Sequence, residues 1–89
     1  MIRRTITIVN KLGLHARAAA KLVATSTPFQ SSLKIRKGER EVDGKSIMSV
    51  MLLAASKGTD VEVIADGPDE QEAVDAVCAL IDNKFDEGE

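Results

Sequence analysis

The sequence predicts an α+β domain of order βαββαβα. In it, three helices cover one face of a four-stranded antiparallel sheet, an open-faced two-layer sandwich. Two observations carry that reading. Short alternating segments at 2–9, 32–37, 40–43 and 60–66 are separated by stretches whose apolar period lengthens to that of a helix. Within the alternating segments apolar residues keep one parity and polar residues the other, the pattern of an antiparallel sheet with one wet face.

The elements follow in chain order. In the first strand Ile2, Ile6 and Ile8 share a face, with Arg3, Thr5 and Thr7 opposite. Asn10-Lys11-Leu12-Gly13 is a loop with a turn residue. From Ala16 to about Ser26 the stripe Ala19, Leu22, Val23 and Ser26 marks a helix, which Pro28 ends because the residue before a proline is driven out of helical geometry. Phe29 is expected in the core. A hairpin around Lys37-Gly38-Glu39 joins the next two strands, with Leu33, Ile35 and Val42 inward. After Gly44, Ser46 introduces a short apolar helix over 47–55, with Gly58 as its C-cap residue. The fourth strand turns Val61, Val63 and Ala65 inward. Asp66-Gly67-Pro68-Asp69-Glu70 then opens a last helix, with proline in the first turn and acids at the positive dipole end. Its stripe is Val74, Val77, Cys78, Ile81 and Phe85. The acidic tail Asp86-Glu87-Gly88-Glu89 is expected to fray.

Composition narrows the function. Eighty-nine residues fit one domain, 1–89, too small to enclose a deep active site; a surface site or binding face is favoured. A net charge of −2, two phenylalanines and no tryptophan or tyrosine argue against a nucleic-acid partner. One cysteine and one histidine argue against a disulfide, a thiolate cluster or a metal site. No run reaches the roughly 20 apolar residues of a membrane span, and residues 1–4 lead into a strand rather than a signal segment. The expectation is a cytoplasmic protein without a cofactor and without membrane insertion.

The chemistry concentrates in Gly13-Leu14-His15-Ala16-Arg17. The only histidine falls where a loop enters a helix, and a helix N-terminus offers free N–H groups and about half a positive charge. That setting favours a neutral, nucleophilic imidazole and steadies an anion once the ring carries phosphate. Arg17 can add charge-assisted hydrogen bonds to phosphate oxygens. On spacing alone, His15 reads more simply as an exposed loop residue or helix cap. Ser46 is first of all a routine N-cap; its second reading is a kinase target whose phosphate adds about two negative charges. Met48, Met51 and Leu52 are most simply core. A helix apolar at nearly every position cannot bury all its side chains, however, so some of Ile47, Met48 and Met51 form an exposed patch. Cys78, within the last helix's stripe, reads as a small core residue.

Asn10-Lys11-Leu12-Gly13-Leu14-His15-Ala16-Arg17 closely resembles the active-site stretch of HPr, the histidine-containing phosphocarrier family of the bacterial phosphotransferase system. Gly44-Lys45-Ser46-Ile47-Met48 resembles that family's regulatory-serine segment, and Gly67-Pro68-Asp69-Glu70 with the acidic tail is similar to its nitrogen-related branch. The resemblance spans essentially the whole chain. It implies that enzyme I, charged by phosphoenolpyruvate, phosphorylates His15 at Nδ1 and that an enzyme IIA-type protein takes the group onward. Arg17 matches the family's active-site arginine. Ala16, Ala20, Lys45, Ile47, Met48 and Met51, with Lys21, are then the candidate partner face, and a serine kinase/phosphorylase is a further partner. A monomeric carrier rather than a free-standing enzyme is expected. Ala18 stands where the family commonly has proline; alanine forms helices well and restores an N–H, so the helix should survive. The alternative is a small α/β ligand-binding or protein-interaction module without covalent chemistry.

Overall fold

The computed structural model describes residues 1–86, so Glu87, Gly88 and Glu89 of the expected frayed tail lie outside the described residues. The chain runs β1 (Ile2–Thr7), α1 (Ala16–Ser26), β2 (Ser32–Lys37), β3 (Arg40–Asp43), α2 (Ile47–Leu52), β4 (Asp60–Asp66) and α3 (Glu70–Asp82), closing in a short turn at Lys84–Asp86. The strands form one sheet in the order β1-β4-β2-β3, every neighbour antiparallel. The predicted order and layering are therefore present.

Alternation explains the register. Ile2 and Ile6 pair with Ala65 and Val61, while Leu33 and Ile35 pair with Ala65 and Val63, so inward residues meet inward residues across both ladders. β4 sits between β1 and β2, and its Val61, Val63 and Ala65 are buried. The three helices cover that face: α3 packs on β1 and β4, and α1 packs on both α2 and α3. Ile8, Leu22, Ile35, Val50, Val74, Val77, Ile81 and Phe85 form the centre of the core. Ala18 joins Ala19, Leu22 and Ser26 on the buried stripe of α1, whereas Val23 and Phe29 pack at its margin. Cys78 is buried, as expected, and desolvation raises its thiol pKa. Arg4 shares the parity of the apolar residues; on this edge strand it reaches past Cys78 to donate to Asp75 of α3 at 2.7 Å.

Four boundaries differ from the sequence reading. β1 ends at Thr7, although Ile8 continues the line by exchanging bonds with Gly58 and Thr59. The second helix stops at Leu52, not at 55, because Leu53 caps it and Ala54 turns left-handed at φ 54°. Gly58 is consequently not its C-cap; its N–H donates to Ile8 O at 2.7 Å in the turn before β4. Pro68 lies outside the last helix, whose N-cap is Asp69. Glu70, the first helical residue, reaches back to accept from Gly67 N at 3.1 Å. The Asp69 carboxylate instead ties α3 to the start of β2, accepting from Gln30 N, Ser31 N and Ser31 Oγ at 3.0, 2.9 and 2.5 Å.

Phe85 reaches the core by a route that helical periodicity does not describe. α3 ends at Asp82, and Lys84, Phe85 and Asp86 all have φ between 55° and 60°. Left-handed backbone costs about 1–2 kcal/mol per non-glycine residue. The turn folds the chain back so that the Phe85 ring is fully buried, and Lys21 Nζ holds it by donating to Phe85 O at 2.7 Å.

Candidate phosphohistidine site

The loop before α1 is built to place one side chain. Asn10 is buried and closes the turn on itself: its Nδ2 donates to Gly13 O at 2.8 Å, and Gly13 N donates to Asn10 O at 3.2 Å. Gly13 has φ 67°, and a Cβ there would lie 2.4 Å from Ala55 O and 2.8 Å from Ser56 Cα. Only glycine fits, on conformation and on space alike. Leu14 is buried and donates its N–H to Ala55 O at 2.9 Å. The turn is thus seated on the chain leaving α2.

His15 follows as the N-cap of α1, with extended backbone (φ −75°, ψ 178°), and its carbonyl accepts from Ala19 N at 2.8 Å. The imidazole is half-buried and makes no cap hydrogen bond to the helix. Among the described residues no acid lies in the first turn of α1. The positive end of the helix is therefore not offset by an acid of its own first turn. Arg17 is exposed in the same turn. Ala18 is fully buried there, and the helix forms around it without the proline.

The expected partner residues spread along a broader surface. α1 and α2 run antiparallel, which their end contacts show. The start of α1 meets Ala55, whereas Ser26 Oγ at its far end donates to Gly44 O at 2.6 Å, just before α2. Ser46 therefore sits about one α1 length from His15, roughly 16 Å for its 11 residues at 1.5 Å each. It is the N-cap of α2, its Oγ accepting from Ser49 N at 3.3 Å. Lys45 lies at that distal end and donates from Nζ to Phe29 O at 2.6 Å. Lys21 is held against Phe85.

Between these ends α2 buries only Val50. Ile47, Met48, Met51 and Leu52 are 42, 68, 37 and 59% exposed, and Ala16 and Ala20 are exposed on α1. Leu52 is thus surface, with Leu53 taking the core position. Leu12, 66% exposed in the histidine loop, is a further apolar residue that the pattern did not single out. A leucine set between Lys11 and Gly13, outside any period, was its only signal. No group of residues suited to a metal ion occurs among the described residues.

The fold and loop together define a small open-faced sandwich that presents a half-exposed histidine at a helix N-terminus, held by a glycine turn. The profile of the family described as "PTS HPr component phosphorylation site" matches residues 2–83. The chain is 57% identical to the phosphocarrier protein HPr of Cupriavidus necator over 89 residues, all of both chains. It is 41% identical to the phosphocarrier protein NPr of Shewanella violacea over 86 residues, 97% of this chain and 94% of that one. The crystal structure of HPr from Thermoanaerobacter tengcongensis is similar at a TM-score of 0.94 and 46% identity, covering 98% of each chain. An HPr dimer from the same organism is similar at a TM-score of 0.76 and 46% identity, covering 96% of this chain and 98% of that one. The chain belongs to the HPr family of the phosphotransferase system.

Proposed function

We propose that this protein accepts a phosphoryl group on His15 from phosphoenolpyruvate-charged enzyme I and passes it to an enzyme IIA-type protein. The observation that supports it most is the seating of His15: an imidazole at the N-cap of α1, unused as a cap, beside the first N–H groups of the helix. A ring nitrogen, Nδ1 by family likeness, attacks phosphorus as the bond to the donor's leaving group breaks. The transferred oxygens then meet helix N–H groups and the Arg17 guanidinium. Passing the group on reverses this geometry, so binding that is firm but open to solvent suits a relay. The exposed Met48, Met51, Ile47 and Leu52, with Ala16 and Ala20, form the adaptable apolar surface on which the partners dock in turn. The carrier works as a cytoplasmic monomer without a cofactor.

Incubation with enzyme I and phosphoenolpyruvate tests this reading. The protein gains one acid-labile phosphoryl group, and His15→Ala folds but gains none; normal phosphorylation of that variant refutes the assignment. Arg17→Ala is phosphorylated more slowly, and an unchanged rate removes its role. Met48→Asp weakens binding to enzyme I without unfolding, and unaltered affinity takes Met48 out of the interface. Sedimentation reports the monomer directly.

Ser46 is proposed as a second, acid-stable phosphorylation site for a serine kinase. Its Oγ caps Ser49 N, and phosphate oxygens take over that bond, so α2 persists. Inhibition then comes from charge beside the Met48 patch, about one helix length from His15, rather than from contact with the imidazole. Ser46→Asp keeps native circular dichroism and slows phosphorylation of His15, and salt partly restores the rate. A folded variant with the normal rate reduces Ser46 to a helix cap.

A further inference from the structure

The β2–β3 hairpin contains an arrangement that its own pairing disfavours. Lys37 and Arg40 stand directly opposite each other in the register. Like charges in that relation destabilise a ladder. Both share the parity of Ile35 and Val42, facing the helices rather than the open side of the sheet. Mere surface charges so placed would diverge into water, but these two converge on the exit of α2. Arg40 Nη1 donates to Leu52 O at 3.0 Å. Lys37 Nζ donates to Leu53 O and Ala54 O at 3.4 and 3.3 Å.

These carbonyls belong to the end of a helix, where intrahelical donors run out and cations meet the negative pole. The next carbonyl in line, Ala55 O, accepts the N–H of Leu14, the residue before His15. Gly13 presses on the same peptide. The carbonyls of 52–55 are therefore held from two sides, three by the hairpin cations and the fourth by the histidine turn. Ala54, left-handed at φ 54°, lies between the two grips. A non-glycine residue resists that conformation, so something must hold the chain there.

We propose that Lys37 and Arg40 are positioning residues for His15: by gripping the carbonyls of Leu52, Leu53 and Ala54 they fix the Ala55 peptide on which the Gly13–Leu14 turn is seated. They act through the exit of α2 and touch neither the imidazole nor the phosphoryl group. That His15 is the group served rests on the phosphocarrier reading above; the seating of the turn does not.

Amide hydrogen exchange of the full chain separates the two. In Lys37→Met/Arg40→Met the Leu14 N–H exchanges about tenfold faster, while amides in β4 and α3 keep their rates, because only a local opening has become easier. The conservative exchange Lys37→Arg/Arg40→Lys restores most of the protection, since a donor again reaches each carbonyl. In phosphoryl transfer from enzyme I the maximal rate falls while the half-saturating carrier concentration holds, as expected of residues outside the docking face. Unchanged Leu14 exchange overturns the proposal. So does an equal acceleration at every amide, which reports only a weaker fold. If the double variant does not fold, Lys37→Met alone is read by the same criteria. Faster Leu14 exchange in a protein whose wild type takes no phosphate leaves the seating intact and refutes the carrier reading instead.

Discussion

Replacing Gly13 with alanine measures how closely the histidine turn is pressed onto the chain leaving α2. Two costs combine at this position. The first is conformational: φ is 67°, where alanine is disfavoured by about 1–2 kcal/mol. The second is steric. The new Cβ would stand 2.4 Å from Ala55 O, against about 3.3 Å for the closest comfortable carbon–oxygen approach, so turn and platform must part by nearly 1 Å. Forced repacking of that kind costs about 1–3 kcal/mol. The sum is about 2–5 kcal/mol, a large share of the roughly 5–15 kcal/mol that holds a small domain together.

Gly38 supplies the internal control. Its φ is 61°, and a Cβ there meets nothing within 4 Å. Gly38→Ala therefore carries the conformational cost alone, about 1–2 kcal/mol. Urea denaturation of the two variants, with phosphorylation of His15 measured in parallel, checks the difference. Gly13→Ala should lose clearly more stability than Gly38→Ala and should accept phosphate more slowly, since parting the turn from Ala55 breaks the Leu14 hydrogen bond. Equal stability losses with normal phosphorylation of both would show that the close approach does not hold the site.

Ala54→Gly relieves the left-handed residue after α2 and should stabilise the protein by about 0.5–1 kcal/mol, read as a rise of about 2–8 °C in thermal midpoint. Ser46→Ala removes the cap of a six-residue helix and should cost about 1 kcal/mol in urea denaturation. Asp69 contributes to acid stability. The hydrogen bond from the Ser31 hydroxyl, then that from Gln30 N–H, lowers its carboxyl from 3.8 to about 2. A depressed folded-state value means a contribution fully present above about 4 and lost as pH falls through about 2. Asp69→Asn should therefore flatten the stability profile between those limits; a profile as steep as the wild type's would assign the acid sensitivity elsewhere.

Much of this could be read from residue order because each strand alternates and each helix carries a stripe. Val61, Val63 and Ala65 or Val74, Val77 and Ile81 announce their faces without help from the rest of the chain. The placement of His15 at a helix start was legible for a similar reason: the glycine, the loop and the first helical residues all lie within a few residues of it. What alternation and period miss is decided by distant partners. The apolar run carries α2 to 55, but Ala54 turns left-handed and the helix ends at Leu52, its exit carbonyls taken by the hairpin cations and by the turn at Gly13. Phe85 fits the stripe of α3 by count, yet it arrives through a left-handed turn held by Lys21 from another helix. Asp69 looks like a dipole-facing acid in sequence and serves as a cross-link to Ser31. The antiparallel run of α1 and α2, which sends Ser46 and Lys45 away from His15, depends on packing that no local pattern records.

The place of β4 has a consequence for how the protein is made. The strand synthesised last stands between β1 and β2 and supplies the partners of both, Ala65 alone facing Ile2 on one side and Leu33 on the other. Until it leaves the ribosome, the hairpin of β2 and β3 is the one strand pairing that described residues can form, and β1 waits with both edges bare. The histidine loop waits too, since the platform at Ala55 lies just upstream of that strand. Sheet closure is thus a late, long-range event, the slow kind of contact in a folding chain. A growing chain can carry His15 for most of its synthesis before the turn that seats it has its platform.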